Sequence, residues 1–193
     1  MKLRPKTGRS FFAEVDRMRK RRFYWELAGF IWTGAAGTAL HFFYEWSGYS
    51  RWAAVISAVN ESTWEHMKLL LVPLFLFSLV QVWFADEPNF LAVRGLSALI
   101  GTALIPILYY TYTGAWGRHE TWIDIGIFFV AAAVTFWLDS RWLHRGRFAA
   151  GWQQVLGVVL LWGLMALFIF FTNRTPHWAL FRDPQTGLFG PVV

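Results

Sequence analysis

The stretch Asn60-Glu61-Ser62-Thr63-Trp64-Glu65-His66-Met67-Lys68 leads without a break into the apolar residues 69–84. Residues 67–84 sit near the lower length limit for crossing a hydrocarbon core of about 30 Å, so their reading separates a soluble helical bundle from a membrane one. At about 100° per residue, Lys68, Glu61 and Glu65 fall within a narrow arc, with Ser62 and His66 flanking it and Thr63 and Met67 opposite. One face is therefore polar. At the mouth of a span such a face costs free energy unless its charges are paired, hydrated or bound to an ion, which makes these residues functional candidates. Ser62-x-x-Glu65 is also a capping-box pattern, in which Ser62 accepts from the Glu65 amide and the Glu65 carboxylate reaches back to the Ser62 amide. Capping accounts for two residues and leaves Glu61, His66 and Lys68 to be explained.

Working outward, the rest of the chain agrees with the membrane reading. The 193 residues are 56% hydrophobic and 20% aromatic, with a mean hydropathy of +0.37, which is too apolar for a soluble domain of this length. Four further runs, 24–44, 93–112, 121–138 and 154–172, are long enough to cross. The predicted fold is an all-α integral membrane protein, a five-helix transmembrane bundle. Residues 24–172 form its membrane domain, 1–23 a basic amphipathic cytoplasmic segment, and 173–193 an outer tail folded back over the bundle. Residues 51–59 are apolar but too short to cross, which predicts a re-entrant or interfacial helix between the first two spans. Pro73 inside the second span frees a backbone carbonyl.

The net charge of +6 is concentrated in the leader and one loop, a distribution that fits membrane orientation and argues against a nucleic-acid partner. With the amino terminus inside, the inner side carries nine Lys and Arg in residues 1–23 together with Arg94, Arg141, Arg145 and Arg147, thirteen in all. The outer side carries five: Arg51, Lys68, Arg118, Arg174 and Arg182. This bias predicts a cytoplasmic amino terminus and an outer carboxy terminus. The leader mixes its charges with Phe11, Phe12, Val15 and Met18, as a surface-lying segment attracted to anionic lipid would. Oligomeric state is left open. There is no cysteine, so any metal must be held by His, Asp or Glu.

The first span carries a stripe, Gly34, Thr38, His41 and Glu45, with Gly37 beside it. Small residues admit a neighbouring helix, and His41 and Glu45 share a face at the outer end. Asp124 lies about one turn inside the fourth span, where an unpaired carboxylate is costly. These residue types suit a divalent ion such as zinc. His41, Glu45, His66 and Asp124 are the candidate ligands, Glu61, Glu65 and Lys68 the candidate catalytic groups, and Asn60, Tyr112 and Arg182 the candidate substrate contacts. His41, Glu45, Glu61, Glu65 and His66 are expected in one outer cavity. The tail is expected to close it, with Phe181 and Leu188 packed between the span ends and Arg182 paired with Glu45 or Glu61. The inner halves of the spans read as almost free of ionisable residues.

At His41-Phe42-Phe43-Tyr44-Glu45-Trp46-Ser47, at 60–68, at Tyr110-Thr111-Tyr112-Thr113-Gly114 and at Phe181-Arg182-Asp183-Pro184, the chain resembles a family of small bacterial multi-span membrane proteins catalogued only as a domain of unknown function. The resemblance covers nearly everything after residue 24. It implies a bacterial inner-membrane protein and carries no activity. A weaker likeness, to membrane hydrolases of the alkaline ceramidase and adiponectin receptor kind, stops short of their carboxy-terminal His-x-x-x-His and serves only as chemical analogy.

Three functions follow from these residues. A metal-dependent hydrolase would act on a lipid or lipid-linked substrate at the outer leaflet, with Lys68 steadying an anionic group. An ion- or proton-coupled small transporter would use Glu61, Glu65, His66 and Asp124 as a relay, and lacks ionisable groups in the inner halves to complete a path. A noncatalytic membrane partner subunit would need only paired charges.

Overall fold

A computed structural model describes residues 8–191. The leader before Gly8, the side chains of Phe11 and Phe12, and the last two residues of the tail lie outside the described residues. The elements are α1 (Gly8–Trp46), α2 (Arg51–Ile56), α3 (Thr63–Gln81), α4 (Phe90–Trp116), α5 (Thr121–His144) and α6 (Gly151–Asn173), followed by a 3-10 turn at Ala179–Phe181. No strand occurs among the described residues, and an isolated antiparallel bridge joins Arg182 to Phe189 in the tail.

Four of these helices, α3 to α6, are long and apolar enough to cross a membrane. The expected first span belongs to α1, which is not among them, because Glu26, Thr33, Thr38, His41 and Glu45 dilute its apolar run. Nor does a break set the leader apart. α1 is one helix of 39 residues, since Glu, Arg, Lys and Met between residues 14 and 22 are good helix formers and no Gly or Pro interrupts them before Gly29. The short helix between the first two spans forms as α2, and it stops at Ile56 rather than continuing to 59.

The core lies where α3, α4, α5 and α6 meet, around Leu70, Leu71, Leu74, Ala98, Ala131, Ala132, Phe136 and Phe168, with Phe30 and Leu40 of α1 packed against it. α6 packs on α4 at two glycines: a Cβ on Gly95 would run into the backbone of Gly157, and one on Gly157 into the backbone of Leu91 and Ala92. Gly37 plays the same part for α1, where a Cβ would collide with the Leu69 carbonyl and the Phe128 ring. Pro73, four residues after Leu69, has no N–H to offer that carbonyl.

Both ends of the bundle are pinned by polar contacts. At the end holding the leader, Arg21 pairs with Asp86, and Arg22 with Glu87 at 3.0 Å. Asn89 donates to the carbonyls of Trp142 and Arg147 at 3.2 and 2.7 Å. Just inside lies a buried ionic cluster, contrary to the expectation that these halves lack ionisable groups. Arg94 of α4, 0% exposed, faces Glu26 of α1 at 3.4 Å and Asp139 of α5 at 3.2 Å. It also donates to Gln81 of α3 at 2.7 Å. Arg94, Glu26 and Asp139 each sit in a helix rather than a loop, so the cluster ties three elements together.

At the other end the tail docks. Phe181 is buried against Trp64 and Phe171, with ring centroids 4.7 and 5.5 Å away. Asn60 donates to the Gly190 carbonyl at 2.8 Å. Asp183 is buried and accepts from the amides of Gln185 and Thr186, closing a turn. Leu188, expected to pack beside Phe181, is instead exposed, because Phe189 takes the inward position of that pair.

Candidate functional site

Ser62 caps α3: its hydroxyl accepts from the Glu65 amide at 3.4 Å. The reciprocal half of the capping box does not form. The Ser62 amide donates to Asn60 Oδ1 at 2.9 Å instead, and the Glu65 carboxylate accepts from the Val59 amide at 3.1 Å. Because the helix begins only at Thr63, Glu61 lies outside it and leaves the arc it was expected to share with Glu65 and Lys68. The polar stretch thus divides into two constellations.

The first is a clamp. Lys68, 0% exposed, pairs with Glu65 at 2.6 Å. It donates to the carbonyls of Ala54 and Ser57 at 2.8 and 2.9 Å, and to the Thr172 hydroxyl at 2.9 Å. An ammonium has three donors, and all are engaged in holding the end of α2 between α3 and α6. Neither Glu65 nor Lys68 lines the cavity that His41, Glu61 and His66 border, so the structure does not bring them to the group they were expected to serve.

The second constellation is the candidate site. His41 from α1, Glu61 from the loop before α3 and His66 from the first turn of α3 bring one ligand atom each to within 4.8 Å of one another. His41 Nε2 lies 3.6 Å from Glu61 Oε1, and His66 Nε2 lies 3.5 Å from Glu61 Oε2. His66 Nδ1 is 3.0 Å from the Ser62 carbonyl. A carbonyl only accepts, so Nδ1 carries a hydrogen and Nε2 is left free to face Glu61. A ring nitrogen and a carboxylate oxygen so placed need a proton or a cation between them.

These three residues form part of the wall of a cavity of about 530 Å³. Its lining is mainly apolar, with Leu69, Ile105, Ile127, Phe128 and Phe129, and a second polar pair, His119 and Asp124, also borders it. His119 Nδ1 lies 3.5 Å from Asp124 Oδ2. The Tyr112 hydroxyl donates to Asp124 and accepts from the Glu120 amide, which fixes the carboxylate. Tyr112 therefore orients Asp124 and is not itself on the wall, while Asp124 stands outside the three-residue cluster. Thr111 and Thr113 bond back to carbonyls of their own helix.

Glu45 does not join the site. Tyr44 takes the buried position, packing with Ala53, Ala54 and Val59, and this turns Glu45 out to the surface. Arg182 makes no ion pair with Glu45 or Glu61. It lines a neighbouring pocket of about 520 Å³ that shares Thr63, Tyr109, Pro184 and Gln185 with the main cavity. His119 was not legible in the sequence. It lies in the short connection between α4 and α5, where no periodicity marks a residue, and the only signal is a charge partner five positions later.

No curated protein and no solved structure matches the chain. The residues that build the cavity and its cap all fall within residues 16–191, which match the model of a family of unknown function, DUF6512, and the chain belongs to that family.

Proposed function

We propose that the protein is a metal-dependent membrane hydrolase of a lipid or lipid-linked ester, with His41, Glu61 and His66 as the ligands of a divalent ion such as zinc. The direction of His66 Nε2, turned to a carboxylate oxygen at 3.5 Å while Nδ1 is tied to the Ser62 carbonyl, carries this reading. Tetrahedral ligands at about 2.1 Å from a metal stand about 3.4 Å apart; His41 Nε2 stands 3.6 Å from Oε1 of Glu61 and His66 Nε2 3.5 Å from Oε2, so each ring reaches its own oxygen of the one carboxylate. The Ser62 carbonyl behind His66 is the outer partner that metal-bound imidazoles usually have. Three protein ligands leave a coordination position open to the cavity.

A divalent ion there would activate water and polarise a carbonyl. Asp124, held by Tyr112 and His119, borders the same cavity and is assigned as the base. It takes a proton from the attacking water and returns it to the leaving alkoxide, so that one ester and one water give an acid and an alcohol. The apolar wall suits an acyl chain. The membrane setting is supported by α6, of whose most apolar stretch only 22% is buried, and by Trp52, Trp83, Trp116, Trp122, Trp137 and Trp152, all exposed near helix ends.

Detergent-purified protein should carry one equivalent of divalent metal by elemental analysis. H66A and E61Q should lose it, and acidification should release it as the histidines protonate. D124N should keep the metal and lose turnover of lipid esters. Metal-free protein that binds no added zinc would overturn the assignment; a bound metal with no ester turnover would overturn the hydrolase and leave the metal centre.

A further inference from the structure

The buried cluster around Arg94 has more acid than base. Glu26, Arg94 and Asp139 together hold two carboxylates and one guanidinium, and each is buried. Gln81 donates to Glu26 at 3.0 Å, and Ser97 donates to Asp139 at 2.5 Å. Phe90 and Phe136 flank the guanidinium at 5.4 and 5.2 Å. The nearest further charges are Arg22, one turn before Glu26 on α1, and Glu87, which pair with each other. α3 contributes only the neutral Gln81. One negative charge is left over in an apolar interior, where it is costly unless neutralised. Two carboxylates that compete for one cation can share a proton.

Buried hydroxyls stand between this cluster and the cavity along the helices that hold both. Thr33 and Thr102 are 0% and 1% exposed, and neither hydroxyl has a partner. An unpaired buried hydroxyl is rare and marks a place where water or a mobile proton is accommodated. Thr33 lies seven residues from Glu26, about 10 Å by helical rise, and four before the cavity residue Gly37. Thr102 lies eight residues from Arg94, about 12 Å, and three before Ile105 on the cavity wall. Thr135, one turn from Asp139, donates to the Ala131 carbonyl at 2.8 Å and sets its oxygen against Gly101, where a Cβ would overlap it. The three hydroxyls come from three helices and, by helical rise, stand at heights between the cavity floor and the cluster.

We propose that Glu26 and Asp139 hold one shared proton opposite Arg94, and that this proton exchanges with the cavity through Thr33, Thr102, Thr135 and intervening water. Each transfer breaks one O–H bond and forms another, so no electron or co-reactant is needed. The bundle then carries a proton line from the cavity to the opposite end, independent of any metal at His41, Glu61 and His66.

Infrared spectroscopy of the full chain in detergent at neutral pH tests it. Wild type should show the carbonyl stretch of a protonated carboxyl, and E26Q and D139N should each lack it, because the remaining acid is then matched by Arg94. In D2O the band should shift as it deuterates, and in the isosteric variant T33V/T102V this should be slowed by about tenfold or more. H66A should keep both the band and its exchange rate. A wild type without the band would mean a fully ionised structural cluster and would overturn the proposal. So would deuteration at an unchanged rate in T33V/T102V, since the proton would then reach the cluster from the leader end. If E26Q or D139N fails to fold, the wild-type band and the threonine variant still decide.

Discussion

Lys68 illustrates how a charged residue beside a site can be occupied elsewhere. All its donors are engaged, and its removal would strand Glu65 and the last carbonyls of α2 in a dry interior. Breaking a buried pair by deleting one partner costs about 3–5 kcal/mol. K68M should therefore melt well below wild type in detergent, while its folded fraction keeps the metal stoichiometry of wild type. An unchanged melting temperature would refute the clamp. The residue types of the site were legible because His and Glu at a span end stand out against apolar neighbours. Their grouping was not, because a helical wheel drawn through 60–68 ignores the cap at Ser62, and Glu61, which lies before that cap, is the bridging ligand candidate. Glu45 failed for a related reason: i, i+4 spacing puts it on the face of His41, yet Tyr44 claims the covered side once α2 folds back.

Helix extents follow closely from apolar run length, and α3 to α6 lie where the hydropathy puts them. Packing between them does not follow, since it turns on single glycines whose neighbours are far away in sequence. Gly157 and Gly163 make a paired test within α6. A Cβ on Gly157 would meet the backbone of Leu91 and Ala92, whereas one on Gly163 would meet nothing within 4 Å. G157A should destabilise the fold by about 1–3 kcal/mol, the usual cost of forcing extra volume into a close contact, and G163A should not lower the melting temperature. Equal behaviour of the two would show that α4 and α6 are not in close contact. The ionic cluster escaped the sequence for the same reason. Glu26, Arg94 and Asp139 stand at the ends of three separate apolar runs, and only the packing of α5 antiparallel to α1 and α4 brings them to one depth.

For the molecule as a whole, the open quantity is the number of crossings. α1 is less apolar than α3 to α6, but two of its polar residues pair with other elements of the bundle: Glu26 with Arg94, and His41 with Glu61. The fifteen residues between those contacts span about 22 Å by helical rise, much of the thickness of a hydrocarbon core. α1 runs beside α3 over that depth, with Trp32 donating to the Pro73 carbonyl at 3.0 Å and Gly37 against Leu69. If α3 crosses a bilayer, α1 crosses with it, and five crossings put the two termini on opposite sides. Two residues in the Lys and Arg count, Arg94 and Lys68, are buried and do not report orientation; since one comes from each side, the asymmetry survives. Reporter fusions should find the amino terminus and the 86–87 turn cytoplasmic, and Arg118 and the carboxy terminus on the other side. Both termini on one side would mean that α1 lies on the membrane rather than through it, and the His41 ligand would then have to enter the bundle from its surface.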